Sequence, residues 1–245
     1  MIFITGDIHG DDIKRLTSRC FPINKELTKE DFVICCGDFG VFNLAWSRYL
    51  IKWMNKKNFT TIFVDGNHEN HTFLHSMPVR EFRGARVHQL ANSVYHVMRG
   101  EIINLSGYNF FCFGGARSHD ISDGILYMSK GWHRQYTQAL RLNKMVRVRD
   151  FDWWEAELPN SSEIANAWDN LLRFNNTVDF IVTHDCSFSS LSAFTDMPEH
   201  DTCVDFLEDV KNNVQFSHWY FGHHHEDLDI SDRESCLYRE VRRIV

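Results

Sequence analysis

A chain of 245 residues, 43% hydrophobic and 14% aromatic, is long enough for one sizeable core. No apolar run in it approaches the about 18 residues of a membrane span. Its formal charge of −7, with 14 histidines counted neutral, argues against a nucleic-acid partner. Met1 leads directly into an apolar segment with no basic leader, so a cytoplasmic location is expected. The seven cysteines form no C-x-x-C pair and read as reduced, buried thiols rather than a zinc ribbon or redox motif.

The first element is Ile2-Phe3-Ile4, a β-branched and aromatic run that stops at a glycine and reads as a buried strand. It opens into Gly6-Asp7-Ile8-His9-Gly10. Residues two apart in extended chain share a face, so Asp7 and His9 would project together and begin a metal site. The alternative is a turn in which Asp7 caps the next helix and His9 is merely exposed. Ile13, Leu16 and Cys20 then repeat at helical spacing, which predicts a helix over residues 11–20. Residues 32–36 form a second buried strand, ending at Gly37-Asp38-Phe39-Gly40. Trp46, Leu50, Trp53 and Met54 mark an amphipathic helix over residues 43–57. A third strand, residues 61–64, ends at Asp65-Gly66-Asn67-His68-Glu69. Strand, polar glycine loop and helix thus recur about every 30 residues, the period of a βα unit with parallel strands.

Beyond residue 86 the pattern changes. Val94–Val97, Glu101–Leu105 and residues 109–113 read as short strands split by Arg99-Gly100 and Ser106-Gly107, which predicts antiparallel hairpins. Gly114-Gly115-Ala116-Arg117 breaks the last of them. Residues 118–159 hold Trp132, Trp153, Trp154 and a basic run with Arg134, Arg141, Lys144, Arg147 and Arg149. They read either as a solvated helix face with a tryptophan-packed loop or as a flap over a site. A helix is predicted over residues 161–176, capped by Ser161 or Ser162, with Ile164, Trp168, Leu171 and Leu172 inward. Phe180-Ile181-Val182 is a buried strand ending at His184. Val204, Leu207 and Val210 mark another helix, and residues 218–221 lead into Gly222-His223-His224-His225. The alternating tail, residues 236–244, is expected to close a sheet. With no linker in view, one domain over 1–245 is expected, carrying an atypical flap or insertion at about 118–159.

Five strand-end loops therefore offer Asp7 and His9; Asp38; Asn67 and His68; His184; and His223 and His225. In open α/β sheets ligands gather at the carboxyl ends of strands. Imidazole and carboxylate without thiolate suit Mn, Fe or Zn and argue against Ca. The donors are too many for one ion and enough for two that share a bridge. His224 would point away from its neighbours in an extended loop. Glu69 and Asp185 read as supporting or capping groups, and His71 and His75 as surface residues.

The ordered series D-x-H, G-D, G-N-H-E, a lone His and G-H-x-H, from Gly6 to His225, resembles the calcineurin-like metallophosphoesterase superfamily. The resemblance implies an α/β fold, a four-layer α/β/β/α sandwich with a dinuclear metal centre at the carboxyl ends of the strands. It assigns Asp7, His9, Asp38 and His225 to one divalent ion. Asp38, Asn67, His184 and His223 go to the other, with Asp38 as bridge and Mn the metal expected in vitro. It makes His68 the catalytic residue, and the activity hydrolysis of a phosphoester by a metal-bridging hydroxide. The chain departs from the protein-phosphatase branch, whose G-D-x-x-D-R-G becomes Val41 and Phe42 at the last Asp and Arg. Arg117 is the candidate substrate-binding replacement. A small or nucleotide-like substrate is expected, without a membrane partner. A Ser/Thr-type phosphoprotein phosphatase and a catalytically silent scaffold, as in the retromer coat, stay open. The basic run keeps a nuclease in view.

Overall fold

The computed structural model describes residues 1–10, 12–42 and 44–245. The chain begins with β1 (Ile2–Thr5), β2 (Phe32–Cys35), α1 (Leu44–Asn55), β3 (Thr60–Phe63) and α2 (His71–His75). Next come β4 (Val79–Phe82), β5 (Ala85–Ala91), β6 (Val94–Val97), β7 (Glu101–Leu105) and β8 (Tyr108–Phe113). The segment expected as a flap forms β9 (Gly124–Leu126), α3 (Trp132–Arg141) and β10 (Val146–Val148). The last part holds α4 (Ser161–Arg173), β11 (Phe180–Thr183), α5 (Phe188–Leu191) and α6 (Thr202–Asn213). The chain closes with β12 (His218–Phe221), β13 (Leu228–Ser231), β14 (Glu234–Cys236) and β15 (Val241–Arg243).

Two sheets carry the architecture. One runs β15-β1-β2-β3-β6-β5-β4 and the other β13-β14-β12-β11-β8-β7, while β9 and β10 pair by themselves. Strands β1, β2 and β3 are parallel, as are β8, β11, β12 and β14. Alternate residues split between layers. Ile2, Ile4, Phe32 and Ile34 meet Phe110, Cys112, Val182 and Tyr220 between the sheets. Phe3, Val33 and Cys35 pack outward on Leu50 and Met54 of α1. Phe111, Ile181 and Trp219 pack outward on Leu171 of α4 and Leu207 of α6. The result is a four-layer α/β/β/α sandwich. Both faces of the central strands are covered, which is why β1, β2 and β3 are buried throughout and read as unbroken apolar runs.

Several local expectations change. Arg99-Gly100 is a crossing between sheets rather than a hairpin turn, because β6 pairs with β3 and β5 whereas β7 pairs with β8. The short-range alternation is the same in either case; Arg99 is committed to a buried carboxylate, and Ala167 of α4 packs where a Gly100 side chain would lie. The helix expected at 11–20 is a single 3-10 turn, Ile13–Leu16. The buried Arg15 guanidinium takes up the carbonyls of Asp7 and Tyr238 and the hydroxyl of Thr5 there. Asp11, and Asn43 at the expected start of the next helix, lie outside the described residues. Helix α4 is capped by Asn160, which accepts from the Ser162 and Glu163 N–H groups while Glu163 accepts from the Asn160 N–H, a full capping box. It buries Ala167 and Leu171 and leaves Leu172 61% exposed. The tail divides: Cys236 ends a strand of the second sheet, and β15 pairs antiparallel with β1 of the first.

Candidate metal centre

The carboxyl ends of β1, β2 and β3 meet those of β11 and β12 across the sandwich. His184 Nδ1–H donates to the Cys36 carbonyl at 2.8 Å, and the His223 N–H donates to Asp7 Oδ1 at 2.9 Å. Two motif glycines make room for this. A Cβ on Gly66 would stand 2.1 Å from Asp38 Oδ1, and one on Gly222 would stand 2.2 Å from Asp7 Oδ1. His9, Asp38, His223 and His225 adopt positive φ, strained conformations that such sites retain at a cost of about 1–3 kcal/mol each. Asp7 and His9 do approach, at 3.7 Å, but through this left-handed turn and not through extended chain.

The donor atoms converge, and their mutual contacts leave one buried carboxylate oxygen unmet. Asp7 Oδ2 is fully buried and, among the described residues, has no hydrogen-bond partner. His225 Nε2 lies 3.2 Å from it, and His9 Nε2 is 2.9 Å from His225 Nε2. On the other side of Asp38, Oδ1 lies 3.6 Å from His184 Nε2, which is 3.1 Å from Asn67 Oδ1. Asp7, His9 and His225 form one group whose ligand atoms lie within 4.8 Å of one another, and Asp7, Asp38 and His184 form another. Because Nδ1 of His184 is spent on the Cys36 carbonyl, its Nε2 lone pair faces Asp38 and Asn67. Asn67 Nδ2 donates to Ser118 Oγ, which donates to Glu157, so the Asn67 carbonyl is turned toward His184. His223 stands beside His184, their ring centroids 4.9 Å apart.

The electrostatics of the site favour added positive charge. Burial would raise the Asp7 carboxyl, but His184, His225 and the His223 N–H outweigh it and hold the group far below the usual carboxylate range. Burial would lower His184, but Asp38 and Asp7 overcome it and raise the imidazole above its ordinary value. An orphaned carboxylate oxygen facing imidazole lone pairs and an amide carbonyl fits divalent cations of the transition series.

His68 stands beside this cluster, its ring centroid 5.7 Å from that of His9 and its N–H on Asp38 Oδ1 at 2.9 Å. Asp120 lies within electrostatic reach of it: burial opposes ionisation, but Arg147 and then His68 hold the carboxyl below its usual value. His9 and His68 open into a cavity of about 360 Å³ walled by Phe42, Phe151, Trp154, Arg147 and Asp152. Part of the 118–159 segment therefore borders the site. Arg117 lies elsewhere, in an exposed 2.8 Å ion pair with Glu199 at the rim of a different cavity.

The remaining histidines divide clearly. His224 turns away from the cluster, 3.3 Å from Asp185 Oδ1 and stacked on Phe194 at 4.0 Å. Glu69 accepts the N–H groups of Gly40 and Val41 and so holds the loop after β2. His71 is buried beside Asp65 rather than on the surface, and His75 is exposed. His119 was not singled out by its sequence, yet its Nε2 lies 3.2 Å from His223 Nε2. The signal for it was its place in a sixth strand-end loop, after β8.

A four-layer sandwich with carboxylates and imidazoles gathered at its strand ends is the frame of a metal-binding site. Residues 1–227 match the calcineurin-like phosphoesterase profile, and the chain belongs to that family. A comparison with solved structures returns the phosphopantetheinyl hydrolase PptH from Mycobacterium tuberculosis, at 14% identity and a TM-score of 0.45, over 97% of this chain and 87% of that one. A comparison with curated proteins finds no match.

Proposed function

We propose that the protein is a two-metal hydrolase of a small or nucleotide-like phosphoester, in which 1–245 act as one domain and 118–159 as a flap. The observation that carries this is Asp7 Oδ2, a buried carboxylate oxygen with no hydrogen-bond partner, facing His225 and His9. Asp7, His9, Asp38 and His225 would hold one ion and Asp38, Asn67, His184 and His223 the other, with Asp38 shared between them. Two divalent ions, Mn in vitro, supply Lewis acidity and lower the pKa of a bound water toward about 7.

The chain's own residues do the rest. Ser118 and Glu157 keep the Asn67 carbonyl aimed inward. The Cys36 carbonyl keeps His184 in the tautomer that leaves Nε2 free. His68 donates a proton to the departing ester oxygen, its backbone anchored on Asp38. Phe42, Phe151 and Trp154 exclude water around that oxygen and favour an organic leaving group. Arg117 contacts substrate from the second cavity, releasing an exposed pair with Glu199 that costs little to break.

All seven cysteines are free and six are buried, which supports a reducing, cytoplasmic setting. Among the described residues no helix is long and apolar enough to cross a membrane. The test is elemental analysis of Mn-saturated protein alongside hydrolysis of chromogenic phosphoesters and a phosphopeptide. Two ions per chain with turnover of the small esters is the expected result. Two ions without turnover would favour a silent scaffold. A clear preference for the phosphopeptide would favour a protein phosphatase.

A further inference from the structure

Two cavities of about 360 Å³ each border the metal centre and share no lining residue. The first opens past His9 and His68. The second opens past His119, which touches His223; Leu191, Phe194, Met197 and Val204 form its apolar side, Asp185, Glu199 and Asp201 its acidic side, and Arg117 stands at its rim. Each lies within the size range of small-molecule sites, about 300–1,000 Å³.

We propose that the substrate is a phosphodiester with two organic arms, the leaving arm in the His68 cavity and the retained arm in the Phe194 cavity. This rests on the phosphoesterase reading above. A monoester has one organic substituent and would leave the second cavity without a role. In an in-line displacement the leaving oxygen is apical and the retained ester oxygen equatorial, so the two arms diverge from phosphorus and need separate spaces. Charge points the same way. Arg147, which borders the leaving-arm cavity, is held by Asp120 and Asp152 and is already neutralised in place, so of the two guanidiniums only Arg117 turns to the phosphate. That suits a diester monoanion better than a monoester dianion. Phe194, with His224 stacked on it, offers a planar aromatic wall for a planar retained arm. In the reaction, water adds OH to phosphorus and the P–O bond to the leaving arm breaks. His68 protonates the released oxygen and solvent returns that proton. One diester and one water yield one alcohol and one monoester bearing the retained arm.

The experiment compares kcat/KM of Mn-loaded protein for bis-p-nitrophenyl phosphate, methyl p-nitrophenyl phosphate and p-nitrophenyl phosphate. All three release the same group, while the retained arm shrinks from aryl to methyl to none. The expected order is bis-p-nitrophenyl over methyl by about tenfold, the worth of one filled apolar pocket, with the monoester last. Phe194→Ala and Met197→Ala should each lower the bis-to-methyl ratio severalfold. Met197 is 84% exposed, so its truncation leaves the fold intact. Phe151→Ala, on the leaving-arm side, should lower both diesters together. Equal rates for the two diesters, a monoester that reacts best, or a ratio that survives both truncations would overturn the proposal. No turnover of any of the three would overturn the phosphoesterase reading itself.

Discussion

Two buried aspartates follow strands of the same sheet, Asp7 after β1 and Asp65 after β3, and each stands among histidines. Around Asp65 both carboxylate oxygens are met within the chain. Arg99 grips Oδ2 through Nε and Nη2, and His96 Nε2 lies 3.0 Å from Oδ1. His88 Nδ1 pairs with His96 Nδ1 at 2.9 Å, and Arg99 ties the group onward to Glu163 and to the Ala156 and Glu157 carbonyls. Around Asp7 the imidazoles lie at 3.2 and 3.7 Å and Oδ2 goes without a hydrogen bond. Residue types alone do not separate the two clusters. What separates them is a resident cation: the Asp65 cluster has an arginine, and the Asp7 cluster must recruit its positive charge.

The largest effect should come from removing the proposed bridge. Asp38→Asn should strip metal from both sites and abolish turnover, a loss beyond the about 10²–10⁴ of an acid catalyst. Asp65→Asn should leave metal content per folded chain near wild type. Elemental analysis of both variants checks this, and the comparison breaks if Asp65→Asn loses its ions as well. Next in size, His68→Asn should lower kcat about 10²–10⁴ for alkyl leaving groups while metal content stays normal. A loss confined to metal binding would move His68 from catalyst to ligand. Third, Arg99→Met leaves Asp65 charged in the interior without its cation, with Oδ2 unpaired, and should cost about 3–5 kcal/mol of stability. Urea unfolding reads that cost, and an unchanged midpoint would mean that the cluster is not closed as described.

The smallest effect concerns pH. Burial, followed by the charge of His96, lowers His88 to about 4 in the folded chain, below its unfolded value of about 6.5. As pH falls the unfolded chain takes up this proton first. The stability contribution is complete above about pH 6.5, declines through the window and is lost by about pH 4, about 3 kcal/mol in all. His88→Asn should flatten that part of the stability curve, and the difference between the two pH curves isolates it. Parallel curves would show that His88 titrates at its ordinary value in the fold.

Much of the site was legible because parallel strands buried on both faces announce themselves as short apolar runs, and each such run here ends in a polar loop. The loops at Asp7, Asp38, Asn67, His184 and His223 could be found in order without coordinates. Chain-distant partnerships could not. Nothing near Asp65 indicates that it belongs to Arg99, nor anything near Asn67 that Ser118 and Glu157 orient it. His71 looked like a surface residue because its burial depends on neighbours that local spacing does not name. The 118–159 segment resisted reading because its helix α3 buries no residue and its strands pair only with each other.

The sequence by itself determined the family, the period of the strands and the residue types at their ends, since these follow from local pattern and chemistry. Only the tertiary structure decided that Asp7 keeps one carboxylate oxygen without a hydrogen bond, which histidines face it and where Arg117 lies. Those outcomes depend on how two sheets close on each other. Crossing from β6 to β7, rather than turning back into a hairpin, is what brings the loops of both sheets to one edge.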